Sequence, residues 1–358
     1  MKKVLLFIDS LGAGGAQRQL VGLAVLLKQR GYDVSVATYH DDRFYVDTIL
    51  DAGVPYVYLK SAHNTKRRIW AVAKHIRNVR PEWVIAFLET PSIVASIAHI
   101  FNRSFRLIVS ERNTTQAIGR NERIRFRLFR TVDYVVSNAY TQSKFIETHF
   151  PRLASKALTI VNFVDTEYFR ALERNRSNVP EIVVAASIWK SKNTLGLIRA
   201  VRLLKDAGAQ FHISWYGKVS SEQEYFDECE NLIHELGVED SISLLEKTKQ
   251  IRDKYQQADY FVLPSFYEGT PNVICEAMAC GLPIACSDVC DNARYVHPGE
   301  NGVLFDPRSS ESIAEAIFGL LSVSEDVWFE CRRRSRELAV EEFSKERFVE
   351  SYIKLIEG

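Results

Sequence analysis

Glycine and proline are sparse in this chain, at 17 and 10 of 358 residues, and 46% of the residues are hydrophobic. That excludes a disordered or collagen-like chain. Charge of one sign is also missing: the formal net charge is +1, which argues against a dedicated nucleic-acid binder. No stretch approaches the roughly 18 uncharged apolar residues of a membrane span. The longest apolar runs, near residues 20–27 and 92–100, read as buried helices. The opening residues 1–9 carry the charge of a signal peptide, but their apolar run is short and meets Asp9 too soon. The six cysteines include no CxxC pair, and the apolar neighbours of Cys275, Cys280, Cys286 and Cys290 suit small buried thiols in a reducing compartment. A metal site built from them is the alternative, and it lacks the paired spacing of such sites. These absences predict a soluble or peripheral, cytoplasmic protein, without internal repeats or low-complexity segments.

The near-zero charge hides a division. Residues 1–165 carry 24 Lys and Arg against 13 Asp and Glu, whereas residues 166–358 carry 22 against 32. Short runs rich in Val and Ile alternate with segments of helical period, the pattern of a parallel sheet covered by helices on both faces. Predicted strands in the first half are 3–9, 33–38, 56–59, 83–87, 106–110, 134–137 and 158–161. The second half restarts the pattern at 181–186, then 211–216, 241–245, 260–263, 283–286 and 302–305. Polar residues around 165–180 read as a linker. The expected organisation is α/β: a Rossmann-like domain at 1–165, a linker at 166–180, a second Rossmann-like domain at 181–342 and a final helix at 343–358. Two doubly wound parallel sheets in tandem would face a central cleft, where ligands bind in such folds. Two readings are open for the final helix: it crosses back onto the first domain, or it caps the second.

Two segments carry chemistry. Strand 3–9 runs into Gly12, Gly14 and Gly15 and then an apolar helix, so backbone N–H groups can approach a phosphate there. As a dinucleotide fingerprint it is incomplete, with Gln17 at the third glycine and Asp41 or Asp42 left to serve a ribose. A tight turn alone is the plainer reading. After strand 260–263 comes a more specific constellation. Glu268 lies in a loop, Thr270 can cap a helix whose first residue is Pro271, and Glu276 lies nearly two turns along it on the same side. A helix start between two carboxylates suits a nucleotide sugar: N–H groups for the diphosphate, carboxylates for hydroxyls at either end.

The stretch from Glu268 to Glu276, followed by Ala277-Met278-Ala279-Cys280-Gly281-Leu282-Pro283, resembles the E-x7-E signature of glycosyltransferase family 4, the retaining "glycosyl transferases group 1" enzymes of GT-B fold. Gly14-Gly15-Ala16-Gln17-Arg18, Asn162-Phe163-Val164-Asp165 and Asn301-Gly302-Val303-Leu304 resemble further family segments, so the likeness covers nearly the whole chain. It implies a GT-B architecture with an acceptor-binding first domain and a donor-binding second domain. It also implies that Glu268 contacts the transferred sugar, that the backbone of Gly269, Thr270, Pro271, Asn272 and Val273 holds sugar and phosphates, and that Glu276 accepts from the ribose. Gly14 and Gly15 join the donor site, and Lys192 neutralises the leaving diphosphate, whose developing charge fixed cations stabilise. The sequence departs from the family at Ser187, where an Arg is usual, and at Arg112, where many members place a cleft histidine. An arginine cannot act as a base near neutral pH, so Arg112 is expected to bind an anionic or hydroxyl group in the catalytic site. A surface salt bridge is its alternative. The sequence has no D-x-D motif, so no catalytic metal or cofactor is expected beyond a UDP- or GDP-linked sugar donor.

The implied reaction is transfer of a hexose or N-acetylhexosamine, with retention, to a lipid-linked or polysaccharide acceptor in bacterial surface glycan synthesis, such as lipopolysaccharide, O-antigen or capsule. The surplus positive charge of the first half gathers in segments 66–80 and 120–130, which have helical character and aromatic residues. Arg67, Arg68, Lys74, Arg77, Arg123 and Arg127 are expected on the acceptor side, against an anionic membrane surface on the inner face of the cytoplasmic membrane. An ordinary solvated helix face is the alternative, and nucleic acid is not expected. Two rivals to the transferase remain: a nicotinamide-dependent Rossmann oxidoreductase, from the glycines at 12–15, and a catalytically inactive binding module, from Ser187 and Arg112.

Overall fold

Strands buried on both faces need continuous apolar runs, and the chain supplies them in two successive series. The computed structural model describes residues 2–60, 64–115, 117–217 and 223–358. It forms two units, one of Met1–Phe163 with Lys345–Gly358 and one of Val164–Ser344.

In the first unit the order is β1 (Lys3–Phe7), α1 (Gly15–Gln29), β2 (Asp33–Thr38), α2 (Val46–Asp51), β3 (Tyr56–Tyr58), α3 (Thr65–Val79) and β4 (Trp83–Phe87). It continues with α4 (Glu89–Phe101), β5 (Arg106–Glu111), α5 (Arg120–Leu128), β6 (Tyr134–Ser137), α6 (Tyr140–His149) and β7 (Ala157–Thr159). Among the described residues these make a seven-stranded sheet of order β3-β2-β1-β4-β5-β6-β7, with every pairing parallel. Alternate residues of the central strands feed two cores. Val4, Leu6 and Ile85 pack with α1, whereas Leu5, Val84 and Val109 pack with α3, α4 and α6.

The second unit contains β8 (Glu181–Ala185), α7 (Thr194–Asp206), β9 (His212–Gly217), α8 (Gln223–Leu236), β10 (Ile242–Glu246), α9 (Ile251–Gln257) and β11 (Tyr260–Leu263). After these come α10 (Asn272–Ala279), β12 (Ile284–Ser287), α11 (Asn292–Tyr295), β13 (Gly302–Phe305), α12 (Ser310–Leu321) and α13 (Glu325–Phe343). The six strands found among the described residues are ordered β10-β9-β8-β11-β12-β13, again parallel throughout. Both sheets are thus doubly wound, the α/β class expected from the alternation of strand and helix.

The final helix α14 (Lys345–Glu357) belongs to the first unit. Phe348, Val349, Tyr352 and Ile356 are buried in the core that contains Leu20, Leu23 and Leu27 of α1. The polar segment before β8 differs from a free linker. Asp259 is fully buried and accepts from the backbone N–H groups of Ser177 (3.1 Å) and Glu181 (2.9 Å). Arg174 donates to the Ala258 carbonyl at 2.6 Å. A buried carboxylate needs such partners, and they fasten this segment to the second unit. Among the described residues no helix is long and apolar enough to cross a membrane.

Candidate functional site

In the second sheet the chain winds outward from β8 through β9 and β10, then returns to place β11 on the other side of β8. Ligands of open α/β sheets bind outside the carboxyl ends of the strands at such a reversal. Two short connections meet there. After β8 the chain forms a 3-10 turn at Lys190–Lys192, and Asn193 adopts a left-handed conformation (φ 57°) before α7. Asn193 is held by a 2.7 Å bond from its Nδ2 to the Pro307 carbonyl. After β11 the loop through Glu268 leads into α10. The Phe266 N–H donates to the Ser191 carbonyl at 2.9 Å, fastening one connection to the other.

This fastening brings Lys192 and Glu268 together: Nζ and Oε1 are 2.5 Å apart, with 25% and 12% of their side chains exposed. Thr270 and Pro271 are buried, Gly269, Asn272 and Val273 are half-buried, and Glu276 is buried on α10. The start of α10, the positive end of its dipole, follows Glu268 by four residues. The expected cap needs correction. Pro271, rather than Thr270, stands at the N-cap, at φ −74° and ψ 105°, its own side chain makes no capping bond, and the first residue of the helix is Asn272. Proline's ring fixes φ, but ψ here is extended, so the helix begins one residue later. Ser187 is exposed just past the end of β8.

Sequence reasoning missed two neighbours of this site. Cys290 is not one of the buried thiols; it is half-exposed, with a left-handed backbone (φ 52°). Its thiol lies against the backbone of Glu268, and burial pushes its pKa up despite that hydrogen bond. Gly217 ends β9, where a Cβ would lie 2.1 Å from the Ala186 carbonyl oxygen. Only the isolated glycine after Tyr216 hinted at that close approach.

The remaining predicted residues lie in the first unit. Its sheet reverses between β1 and β4. Gly14 is the N-cap of α1, which starts at Gly15. Gln17 folds back over the turn, donating to Asp9 Oδ1 at 3.1 Å, and its side chain occupies the space beside Gly14. Asp42 does the same beside Gly12. Across the reversal, Leu88 follows β4 at φ 74° and ψ 164°, a conformation that costs a non-glycine residue on the order of 1–3 kcal/mol.

Among the described residues Arg112 has no carboxylate partner. Its Nη1 donates to Asn162 Oδ1 at 2.8 Å and its Nη2 to the Tyr352 hydroxyl at 2.7 Å, while the guanidinium lies 4.0 Å from the centre of the Phe87 ring. Burial lowers its pKa, with Tyr352 opposing. Its two terminal nitrogens are thus taken up by Asn162 and by a tyrosine of α14, which it holds in position. Beside it Glu111 is buried and paired at 3.4 Å with Arg125, which also reaches Glu89 at 2.7 Å. Burial pushes the Glu111 carboxyl up to about 7 although Arg125 opposes the shift.

The basic residues fall on α3 and α5, with α4 packed between them. Arg67, Lys74, Arg77, Arg123 and Arg127 are exposed. Arg68 is half-buried, stacked 4.0 Å from the centre of the Tyr39 ring. Trp70 (62% exposed) and Ile124 (57%) stand among them.

Residues 13–168 match Glycosyltransferase Family 4, and residues 165–336 match Glycosyl transferases group 1. The chain belongs to glycosyltransferase family 4. Among its relatives is a Campylobacter jejuni enzyme named as an N-acetylgalactosamine-N,N'-diacetylbacillosaminyl-diphospho-undecaprenol 4-alpha-N-acetylgalactosaminyltransferase. It is 23% identical over 377 residues, covering 100% of both chains. Solved structures give the fold. Anabaena HepE in complex with UDP superposes with a TM-score of 0.85 at 18% identity, covering 100% of both chains. A Rickettsia africae glycosyltransferase gives 0.85 at 16%, covering 99% of this chain and 97% of the other. The fold is GT-B, as the family resemblance implies. Family membership leaves the nicotinamide-dependent alternative with no basis beyond the glycines at 12–15.

Proposed function

We propose that this family 4 chain is a retaining, metal-independent transferase that moves a hexose or N-acetylhexosamine from a UDP- or GDP-linked donor to a lipid-linked or polysaccharide acceptor. One observation carries the reading: Lys192 and Glu268 meet at the reversal of the second sheet, just ahead of the start of α10. Departure of a nucleoside diphosphate builds negative charge, and a fixed ammonium with a helix N-terminus lowers that barrier. Glu268 accepts hydroxyls of the transferred sugar, and Glu276 accepts those of the ribose. The acceptor hydroxyl attacks from the face the diphosphate leaves, and the leaving phosphate helps to take its proton. The two carboxylates bind opposite ends of the donor and do not work as the paired acid and nucleophile of retaining hydrolases. Support for a lipid-linked acceptor comes from the diphospho-undecaprenol in the name of the C. jejuni relative, and support for UDP from the ligand of HepE.

Replacing Glu268 by Ala should abolish transfer, and full activity in that variant would overturn the site assignment. A thermal-shift screen of UDP- and GDP-sugars against the wild type identifies the donor, because a ligand that binds only the native state raises its stability. Detectable donor hydrolysis or transfer excludes an inactive binding module.

A further inference from the structure

We propose that Glu89 is a specificity-determining residue for the acceptor: its carboxylate accepts hydrogen bonds from hydroxyl groups of the acceptor's terminal sugar, and buried Arg125 holds it in place to do so. This rests on the transferase reading above and adds a residue of the first unit that tells one acceptor sugar from another. Glu89 opens α4 directly after β4, at the carboxyl edge of the first sheet where the strand order reverses between β1 and β4. Open α/β sheets bind their ligands at that position. The residue before it, Leu88, has φ 74° and ψ 164°, a backbone region that belongs essentially to glycine. It is held there from both sides. Its N–H donates to the Ser110 carbonyl on β5 at 3.1 Å, and its own carbonyl accepts from the Ser92 N–H of α4 at 3.1 Å. Strain that neighbours enforce in this way gathers at functional sites, and here the side chain it aims is a carboxylate.

The support for that carboxylate is built from inside the unit. Arg125 is 7% exposed and reaches Glu89 at 2.7 Å, Glu111 at 3.4 Å and the Thr115 hydroxyl at 3.2 Å. Glu111 is itself buried, and burial pushes its carboxyl up to about 7, so near neutral pH the guanidinium charge is drawn toward Glu89. The Glu89 side chain nevertheless stays 47% exposed. An ordinary surface carboxylate loses rotamer freedom when a ligand orders it, whereas this one is already ordered. A carboxylate offers about four lone-pair positions, and the bond from Arg125 uses one. The remaining capacity on the exposed side suits sugar hydroxyls, which bind a charged acceptor more strongly than a neutral one. A site built to pair with a hydroxyl rejects the analogue that lacks it, which is how Glu89 discriminates.

The test is transfer kinetics of the full-length chain with the donor found by thermal shift and, as acceptors, farnesyl-diphosphate-linked N-acetylhexosamine mono- and disaccharides. A matching set lacks one hydroxyl of the terminal sugar at a time. Glu89→Gln keeps an oxygen for Arg125 but turns the other into an N–H donor, so it should fold and raise the acceptor KM about tenfold, the scale of one charge-assisted bond. Glu89→Ala should do the same or more. Donor hydrolysis without acceptor, and calorimetric binding of UDP or GDP, should stay at the wild-type level. Arg125→Lys, whose ammonium cannot span two carboxylates as a planar fork does, should show the same rise in acceptor KM in milder form. One deoxy acceptor should lose about tenfold with the wild type and nothing further with Glu89→Ala, the coupling that marks a direct contact. Glu82→Gln, an exposed carboxylate at the opposite end of β4, controls for charge alone and should leave the acceptor KM unchanged. A wild-type acceptor KM in both Glu89 variants, or deoxy penalties that persist in Glu89→Ala, overturns this inference and leaves the transferase standing. Donor hydrolysis by the wild type without transfer to any probe overturns the lipid-linked acceptor and this inference with it. A wild type that neither hydrolyses nor transfers any donor overturns the transferase reading itself.

Discussion

The Tyr352 hydroxyl accepts a 2.7 Å hydrogen bond from Nη2 of Arg112, a residue 240 positions earlier in the chain. Both side chains also lie against the Phe87 ring. Arg112 therefore joins the end of β5 to the returning helix α14, which otherwise holds its place through buried Phe348, Val349 and Ile356. Removing only the hydroxyl, in Tyr352→Phe, should cost about 1 kcal/mol. Arg112→Ala should cost more, about 2–3 kcal/mol, because Asn162 and Tyr352 both lose a charged donor. Arg112→Lys should recover little of this, since an ammonium cannot span two acceptors as a planar fork does. Urea denaturation of the three variants measures these differences, and a wild-type midpoint in Arg112→Ala would rule out the strut.

Glu111 gives the first unit a pH dependence of definite sign. Its carboxyl titrates near 4.5 when unfolded and is pushed up to about 7 in the fold, chiefly by burial. Between those values the folded chain keeps a proton that the unfolded chain releases. The contribution is therefore fully present below about pH 4.5 and is lost as pH rises through about 7. The full span is on the order of 3 kcal/mol. Glu111→Gln removes the titration while Arg125 keeps its 2.7 Å contact with Glu89. The variant should gain stability relative to the wild type as pH rises from about 5 to about 8. Denaturation at intervals across that range checks it, and a pH-independent difference between the two proteins would refute the assignment.

Central strands such as β4 and β11 were legible because their side chains are buried on both faces, and such runs admit few other readings. The donor signature was legible for a related reason: Glu268 and Glu276 sit on one continuous loop and helix, so their spacing survives in the sequence. Contacts closed by the fold were not legible. Nothing local announces that Phe266 meets Ser191 or that Arg112 meets Tyr352. The placement of α14 was open for the same reason, because an apolar helical stripe does not name the surface that will cover it. Cys290 was misjudged because its neighbours in sequence are buried, while its own left-handed turn brings it partly to the surface.

Gly217 ties strand packing to the donor site. Trp215 Nε1 donates to the Ala186 carbonyl at 2.7 Å, and the Cα of Gly217 approaches the same oxygen so closely that a methyl group cannot fit. Ala186 directly precedes Ser187 and the turn that carries Lys192. Gly217→Ala should force the end of β8 to shift, costing about 1–3 kcal/mol of stability. It should also weaken UDP or GDP binding several-fold by displacing Lys192. Denaturation and calorimetry read the two effects separately. Wild-type nucleotide binding in a destabilised variant would show that the strain is absorbed before it reaches the turn.

The exposed cations of α3 and α5 predict a surface function distinct from donor binding. Arg67, Lys74, Arg77, Arg123 and Arg127 are exposed, and Trp70 and Ile124 offer apolar area among them. Arg125 is turned inward to its two carboxylates and so adds nothing to this surface. Each basic side chain near an anionic bilayer contributes about 1 kcal/mol. Reversing two of them, in Arg67→Glu with Arg123→Glu, should therefore weaken adsorption by well over tenfold, and Trp70→Ala should weaken it further by removing the apolar anchor. Flotation with vesicles containing anionic lipid, at low and high salt, measures this directly. UDP and GDP binding should be unchanged in these variants, because Lys192 and Glu268 belong to the other unit. Equal flotation of the charge-reversed protein and the wild type would assign these helices an ordinary solvated face.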